Sequence, residues 1–169
     1  MMFQDEARFG RITDPRRCWA PKGCRPTVKK QVVREYTYAY AALCPADGVC
    51  DTLILPVMNA EAMNCFLAEV ARRHPDEMLL MVYDGAPCHS PGALQLPENL
   101  LVLTLPPYSP ELNPVEILWD HLRETFFPNL AFESMNHLEV QLVLALRHAE
   151  SDRPTVRSLA SFPWIISSL

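Results

Sequence analysis

The sequence contains no apolar run approaching the roughly 20 residues needed to span a bilayer. Its first ten residues, MMFQDEARFG, lack the layout of a signal peptide. Internal repeats and low-complexity tracts are also absent. With 169 residues, of which 49% are hydrophobic, the chain is long enough for one domain with its own core. We therefore expect a soluble, cytoplasmic, single-domain protein with no membrane partner.

The six cysteines include no CxxC pair, and the chain is too long and too apolar to resemble a disulfide scaffold. Cys18 and Cys24 could supply half of a zinc site, but no second ligand pair with suitable spacing follows them. We interpret the cysteines as reduced thiols.

Positive charge is scarce over the whole chain but concentrated near its start. The net charge is −5, yet nine of the fifteen Lys and Arg residues lie in the first 34 positions. A basic segment on an otherwise acidic chain favours a phosphate-bearing partner such as DNA, although a solvated basic hairpin would have the same composition. The predicted DNA-binding residues are Arg8, Arg11, Arg16, Arg17, Lys22, Arg25, Lys29 and Lys30.

Hydrophobic periodicity and turn signals predict five strands and three helices. The predicted strands are residues 1–5, 36–44, 50–57, 78–83 and 100–105, and the predicted helices are 59–74, 114–127 and 133–149. Residues 6–35 are predicted to form an irregular basic arm or hairpin that is anchored by Trp19. The tail, residues 150–169, has no clear pattern, and we expect it to dock on another subunit or on a missing domain.

The order of these elements predicts a mixed five-stranded α/β sheet flanked by helices. The first three strands follow one another closely and should be antiparallel neighbours, whereas a helical crossover places the fourth strand parallel to the first. The fifth strand is again parallel. This arrangement brings three acids, Asp5, Asp84 and Glu116, to one edge of the sheet, where the sites of α/β folds usually lie.

Three carboxylates at one edge repel one another unless cations neutralise them. Hard oxygen ligands suit Mg²⁺ or Mn²⁺, which retain water and gather phosphate oxygens. Two such ions about 4 Å apart can activate a water or a 3′-hydroxyl and stabilise the leaving oxygen in an in-line phosphoryl transfer. In this hypothesis Asp5 and Asp84 hold or bridge the ions, and Glu116 completes the shell of one ion.

Each acid also has an ordinary explanation. Asp5 could be a surface acid at a strand end, and Asp84 could form a turn. Asn113 and Glu116 have the spacing of a capping box, in which Glu reaches back to the amide of the N-cap residue. His89 and Asn113 could orient phosphate or water, although a histidine in a loop is more often simply solvated.

Three blocks of the chain carry a family resemblance: FQDEARFG with RCWAPKG, then VYDGAPCHS, then LPPYSPELNPVE. They resemble the signature blocks of bacterial insertion-sequence transposases of the mariner-like superfamily. The resemblance implies a ribonuclease-H-like catalytic domain over residues 1–149, in which Asp5, Asp84 and Glu116 form an Asp-Asp-Glu (DDE) triad with a divalent metal cofactor. It also implies that Glu116 serves catalysis.

The resemblance further implies a metal-dependent endonuclease and strand transferase that cuts DNA at transposon ends and joins them to target DNA, working as a homodimer. N-terminal helix-turn-helix modules that read transposon ends are expected to be absent, because the first strand begins at residue 1.

Two alternative functions stay open. One is a non-catalytic DNA-binding or dimerisation remnant, and the other is a ribonuclease-H-like nuclease acting on RNA–DNA hybrids.

Overall fold

The computed structural model describes residues 1–13, 15–85 and 92–167. Its strands are β1 (Met2–Ile12), β2 (Val32–Leu43), β3 (Cys50–Leu55), β4 (Leu79–Tyr83) and β5 (Leu100–Thr104). Its α-helices are α1 (Ala60–Arg73), α2 (Pro114–Phe126), α3 (Met135–Ser151), α4 (Arg153–Ala160) and α5 (Pro163–Ile166), and a short 3-10 turn, Pro110–Leu112, precedes α2. Within the described ranges, no helix is long and apolar enough to cross a membrane.

The strands form one mixed sheet in the order β3-β2-β1-β4-β5. β1, β2 and β3 are antiparallel neighbours, whereas β4 runs parallel to β1 and β5 runs parallel to β4. One core lies between the sheet and α1, and a second core lies between the opposite face and α2 to α5. The predicted mixed α/β sheet, with its three antiparallel strands and parallel crossovers, is confirmed.

β1 is longer than predicted. It continues to residue 12 instead of ending at residue 5, so Asp5 lies within the strand and the basic arm is shortened to residues 13–31. The cause is an alternation with a period of two. Phe9 is buried, whereas Arg8 is exposed and lies 4.5 Å above the ring of Tyr36 on β2. The many charged residues of this segment obscured that alternation.

The tail packs on its own chain, whereas the sequence suggested docking elsewhere. α4 contacts α2 and α3, and Val156, Ala160 and Ile165 are buried in the core that these helices share with the sheet. The start of α4 is capped by Asp152, whose side chain accepts a hydrogen bond from the amide of Thr155. Helices of eight and four residues are too short to show a helical period, which explains why the pattern was missed.

The turn between β2 and β3 touches the start of α4 at Gly48. Gly48 has a left-handed φ of +74°, and a Cβ at this position would overlap the backbone carbonyl of Arg153. We expect Gly48→Ala to lower the free energy of unfolding by about 3 kcal/mol, because left-handed backbone strain and steric overlap add. Equilibrium denaturation in urea measures this loss.

Gly23→Ala is the matched control for that substitution. Gly23 also has a left-handed φ, +90°, but a Cβ there would meet nothing within 4 Å. Gly23→Ala should therefore lower the free energy of unfolding by only about 1 kcal/mol, which is the contribution of backbone strain alone. Equal losses in the two variants would contradict the close approach of α4 to the turn.

Candidate active site

The register of the parallel β1–β4 pair brings Asp5 and Asp84 together. Phe3 pairs with Val82, so Asp5 and Asp84 occupy equivalent positions, each two residues beyond that pair. Asp84 follows directly after the end of β4 at Tyr83. The two carboxylates therefore extend from adjacent strands, as the sequence predicted.

Glu116 reaches the same place from the first turn of α2. The three acids line one open cavity of about 460 Å³, together with Asn113 and the loop of residues 105–110. Asp5 is partly buried, whereas Asp84 and Glu116 are exposed. The structure thus collects the three acids predicted from the sequence in one solvent-accessible cavity.

Asn113 fixes the start of α2 to β1. Its buried side chain accepts a hydrogen bond from the amide of Val115 (3.2 Å) and donates one to the carbonyl of Gln4 (2.8 Å). The predicted N-cap is therefore confirmed. The amide of Asn113 donates to the carbonyl of Pro110 at 2.9 Å, so the amide that a capping box would offer to Glu116 already has another partner. A role of Asn113 in orienting phosphate or water stays a prediction.

Sequence reasoning missed the contribution of Trp119. This residue is 1% exposed, and its indole Nε1 donates a hydrogen bond to Oδ2 of Asp5 at 2.9 Å. It lies three residues after Glu116, on the same side of α2, so one helix face both orients Asp5 and supplies the third acid. A buried tryptophan usually needs an acceptor for its N–H, and this requirement is the signal that could have pointed to the contact.

Asp5 carries its negative charge at a cost to the fold. Burial is the main reason that its pKa is raised to about 7, and the charges of Glu116 and Glu6 act in the same direction. The hydrogen bond from Trp119 acts in the opposite direction and favours the charged form. At neutral pH a substantial fraction of Asp5 is therefore protonated unless a cation lies nearby.

Glu116 shares this electrostatic environment. Although the residue as a whole is exposed, partial burial of its carboxyl group raises its pKa, the positive charge of Arg123 opposes the rise, and the charges of Asp120 and Asp84 add to it. Glu116 thus interacts with Asp84, and Asp5 interacts with Glu116. The three acids form one coupled group of negative charges.

The donor chemistry of the cavity fits a hard divalent cation, because carboxylate oxygens are preferred ligands of Mg²⁺ and Mn²⁺. In the part of the chain that the structure describes, no group of three or more Asp, Glu, His or Cys side chains could hold a metal ion by itself. Mg²⁺ is commonly bound by one or two carboxylates, and waters and substrate phosphates fill its remaining positions. The adjacent Asp5 and Asp84 suit that mode of binding.

Most of the predicted DNA-binding residues face solvent. The exposed members are Arg8 on β1 and Arg17, Lys22, Arg25, Lys29 and Lys30 on the basic arm. Arg16 is partly buried and forms an ion pair with Glu124 at 3.1 Å. His89, predicted as a supporting residue, lies outside the described residues.

Arg11 differs from this group because its guanidinium forms hydrogen bonds with other residues of the same chain. It donates to the carbonyls of Phe132 (2.9 Å) and Glu133 (2.7 Å) and to the carboxylate of Glu35 (2.6 Å). Its side chain is only 15% exposed. Arg11 therefore ties β1 to the connection between α2 and α3, and its assignment as a DNA-binding residue stays a prediction.

The two ends of the basic arm are attached to the same connection. The amide of Arg16 donates to the side chain of Asn129 at 2.8 Å, and the side chain of Gln31 donates to the carbonyl of Phe132 at 2.7 Å. Trp19, predicted as the anchor of the arm, is instead fully exposed. Polar contacts at the ends of the arm, rather than a buried ring, hold it in place.

Comparison with known proteins connects this site to one family. The family model described as DDE superfamily endonuclease matches residues 1–139. An uncharacterized protein of Sinorhizobium fredii, y4pE/y4sA, is 32% identical over 135 residues, which cover 79% of this chain and 93% of that protein. The family predicted from the sequence blocks is therefore supported by an independent match over most of the chain.

Solved structures of the Mos1 transposase share the fold. The Mos1 strand transfer complex matches with a TM-score of 0.68 and 18% identity over 94% of this chain and 50% of that chain. The Mos1 mariner paired end complex with Mn matches with a TM-score of 0.69 and 18% identity over 94% of this chain and 51% of that chain. This chain thus spans about half the length of the Mos1 chains, and the shared fold is the ribonuclease-H-like one that was expected. Because the family model covers most of its length, the chain belongs to the DDE superfamily endonucleases.

Proposed function

We propose that this chain is the catalytic domain of a transposase, a metal-dependent DNA endonuclease and strand transferase that acts at transposon ends. The observation that carries the proposal is the β1–β4 register, which sets Asp5 and Asp84 at equivalent positions beside a cavity that Glu116 also lines. Three acids in one open cavity of a DDE superfamily endonuclease suit phosphodiester chemistry.

Asp5 and Asp84 would hold Mg²⁺ or Mn²⁺, and Glu116 would complete the shell of one ion. Two such ions, when bound, supply charge neutralisation and activation of a water or a 3′-hydroxyl. Trp119 keeps the carboxylate of Asp5 oriented, and Asn113 keeps α2, and with it Glu116, attached to β1. Mos1 structures with Mn and with Mg support divalent ions as cofactors of this fold.

DNA is the proposed partner. A chain with a net charge of −5 and an acidic cavity repels a polyanion, so the exposed cations of the basic arm and Arg8 would provide the compensating attraction. One structural neighbour is a Mos1 transposase paired-end complex with the left transposon end, which supports transposon ends as the DNA, and we propose that the chain acts on them as a homodimer. Such an assembly would work on bacterial DNA in the cytoplasm.

Plasmid nicking tests the proposal directly. We expect the purified chain to convert supercoiled plasmid to the nicked form in Mg²⁺ or Mn²⁺ and to be inactive in EDTA, because the carboxylates alone cannot neutralise the reacting phosphate. Cleavage of duplex DNA should exceed cleavage of an RNA–DNA hybrid of the same sequence. Faster cleavage of the hybrid would support the ribonuclease alternative instead.

A non-catalytic DNA-binding remnant is the second candidate function. It is favoured by the finding that, among residues 1–13, 15–85 and 92–167, no three metal-ligating side chains are grouped to hold an ion. Salt-sensitive binding of duplex DNA, without nicking in either metal, would support the remnant and contradict the catalytic proposal.

A further inference from the structure

Tyr108 has an unusual conformation at the mouth of the acidic cavity. It lines the cavity together with Asp5, Asp84 and Glu116, and its side chain is 100% exposed. Its backbone has a left-handed φ of +60°, which is sterically unfavourable for a bulky L-residue. Contacts of the ring within this chain do not offset that strain, because the ring is fully in solvent.

The backbone around Tyr108 is held in place on both sides. Pro106 and Pro107 precede the residue, and Pro110 begins the 3-10 turn that leads into α2. The amide of Leu112 donates to the carbonyl of Ser109 at 3.1 Å. Because prolines fix φ, the loop backbone beside the cavity has little conformational entropy left to lose on binding, while the ring itself lies in solvent.

Strained residues persist where the surrounding structure imposes them, and they concentrate at ligand-binding positions. Carboxylates repel the phosphates of an approaching nucleic acid, and an uncharged group beside this cavity can attract the strand through its bases instead of its phosphates. An aromatic ring supplies such attraction by stacking on a nucleobase, with little dependence on the base sequence. In a duplex both faces of a base are covered by its neighbours, so only an unpaired, unstacked base offers a face to the ring.

We propose that Tyr108 is a stacking platform for an unpaired nucleobase that flanks the phosphate in the acidic cavity. This inference rests on the proposed function, because it takes DNA as the ligand of the cavity. It assigns Tyr108 as a residue that positions the strand. Trp19, a second fully exposed aromatic residue among those that the structure describes, lies on the basic arm and does not line the cavity, so it does not fit this role.

Binding of two single-stranded oligomers tests the inference. One is a 12-nucleotide oligothymidylate, and the other is a 12-unit oligomer of abasic deoxyribose phosphates, which has the same backbone but no bases. Their Kd values are measured by fluorescence anisotropy in Mg²⁺. We expect Tyr108→Ala to weaken binding of the oligothymidylate about 5- to 150-fold, the range for loss of one stacked base, and to leave binding of the abasic oligomer unchanged.

Two further variants separate stacking from other effects. Tyr108→Phe keeps the ring and should bind the oligothymidylate as the wild type does. Tyr108→Gly should weaken that binding as Tyr108→Ala does, while its Tm stays equal to that of the wild type or rises, because glycine adopts a left-handed φ without strain. Weaker binding by Tyr108→Gly therefore cannot be attributed to unfolding.

Three results would overturn the inference. These are equal weakening for both oligomers in Tyr108→Ala, a loss in Tyr108→Phe as large as that in Tyr108→Ala, and unchanged oligothymidylate binding in Tyr108→Ala. Because these assays require no cleavage, they give an answer even if plasmid nicking fails. Nicking by the wild type together with any of these results would refute the stacking role of Tyr108 alone and leave the proposed function in place.

Discussion

We expect Glu116→Gln to lower the rate of metal-dependent plasmid nicking by about 10³-fold or more, the range seen when a group that stabilises the transition state is removed. The substitution preserves the size of the side chain and removes its negative charge. Its effect on folding should be small, because Glu116 is exposed and the start of α2 is capped by Asn113. The nicking rate in Mg²⁺, with Tm measured in parallel, gives the result.

Glu111→Gln is the matched control. Glu111 lies five residues before Glu116, is also exposed, and is not among the residues that line the acidic cavity. The same chemical change at this position should leave the nicking rate within about twofold of the wild type, since surface substitutions away from a site have small effects. Comparable losses in the two variants would show that the charge of the surface, rather than a ligand position, determines the rate.

The sheet and the position of the site could be predicted because their signals are local in sequence. Apolar runs mark β4 and β5, and Asn59 and Asn113 mark helix starts through their own side chains, which accept hydrogen bonds from Ala62 and Val115. The helical crossover then requires β4 to lie parallel to its neighbour. Asp5 and Asp84 come together as a consequence of that topology.

The features that could not be predicted depend on contacts between distant residues. Trp119 and Asp5 are 114 positions apart, and Arg11 meets a carbonyl 121 positions away at Phe132. Composition places Arg11 in a basic segment, but only the fold shows that its donors bind Glu35, Phe132 and Glu133 of the same chain. A sequence pattern therefore identifies which residues can carry charge, and tertiary contacts decide which of those charges reach a ligand.

Asp5→Asn is expected to stabilise the fold at pH 8 while it abolishes nicking. The pKa of Asp5 is raised from its ordinary 3.8 to about 7, chiefly by burial, which corresponds to a cost of up to about 4 kcal/mol when the group is charged. Asparagine removes the charge, and its side-chain oxygen can still accept the hydrogen bond from Trp119. The free energy of unfolding, measured in urea at several pH values, reports the gain.

The pH dependence of this gain follows from the direction of the pKa shift. Below about pH 4, Asp5 is protonated in both the folded and the unfolded chain, so the variant and the wild type should be equally stable. Between about pH 4 and pH 7, the unfolded chain ionises more readily, and the wild type loses stability relative to the variant. Above about pH 7 the difference is complete and constant. Asp76→Asn, at an exposed turn position, is the control and should change stability by less than about 0.5 kcal/mol.

Metal binding should offset the loss of folding stability that the charge of Asp5 causes. A cation held by Asp5 and Asp84 favours their charged forms, so Mn²⁺ should stabilise the wild type at pH 8, by about 2.7 kcal/mol at a concentration one hundred times its Kd. Asp5→Asn should lose most of this response, although it starts from the more stable fold. A carboxylate that weakens the fold until a cation binds is expected of a catalytic ligand rather than of a structural one. Equal Mn²⁺ stabilisation of the two proteins would exclude Asp5 as a metal ligand. If Asp5→Asn were less stable than the wild type at pH 8 without metal, the charge of Asp5 would support the fold instead of weakening it.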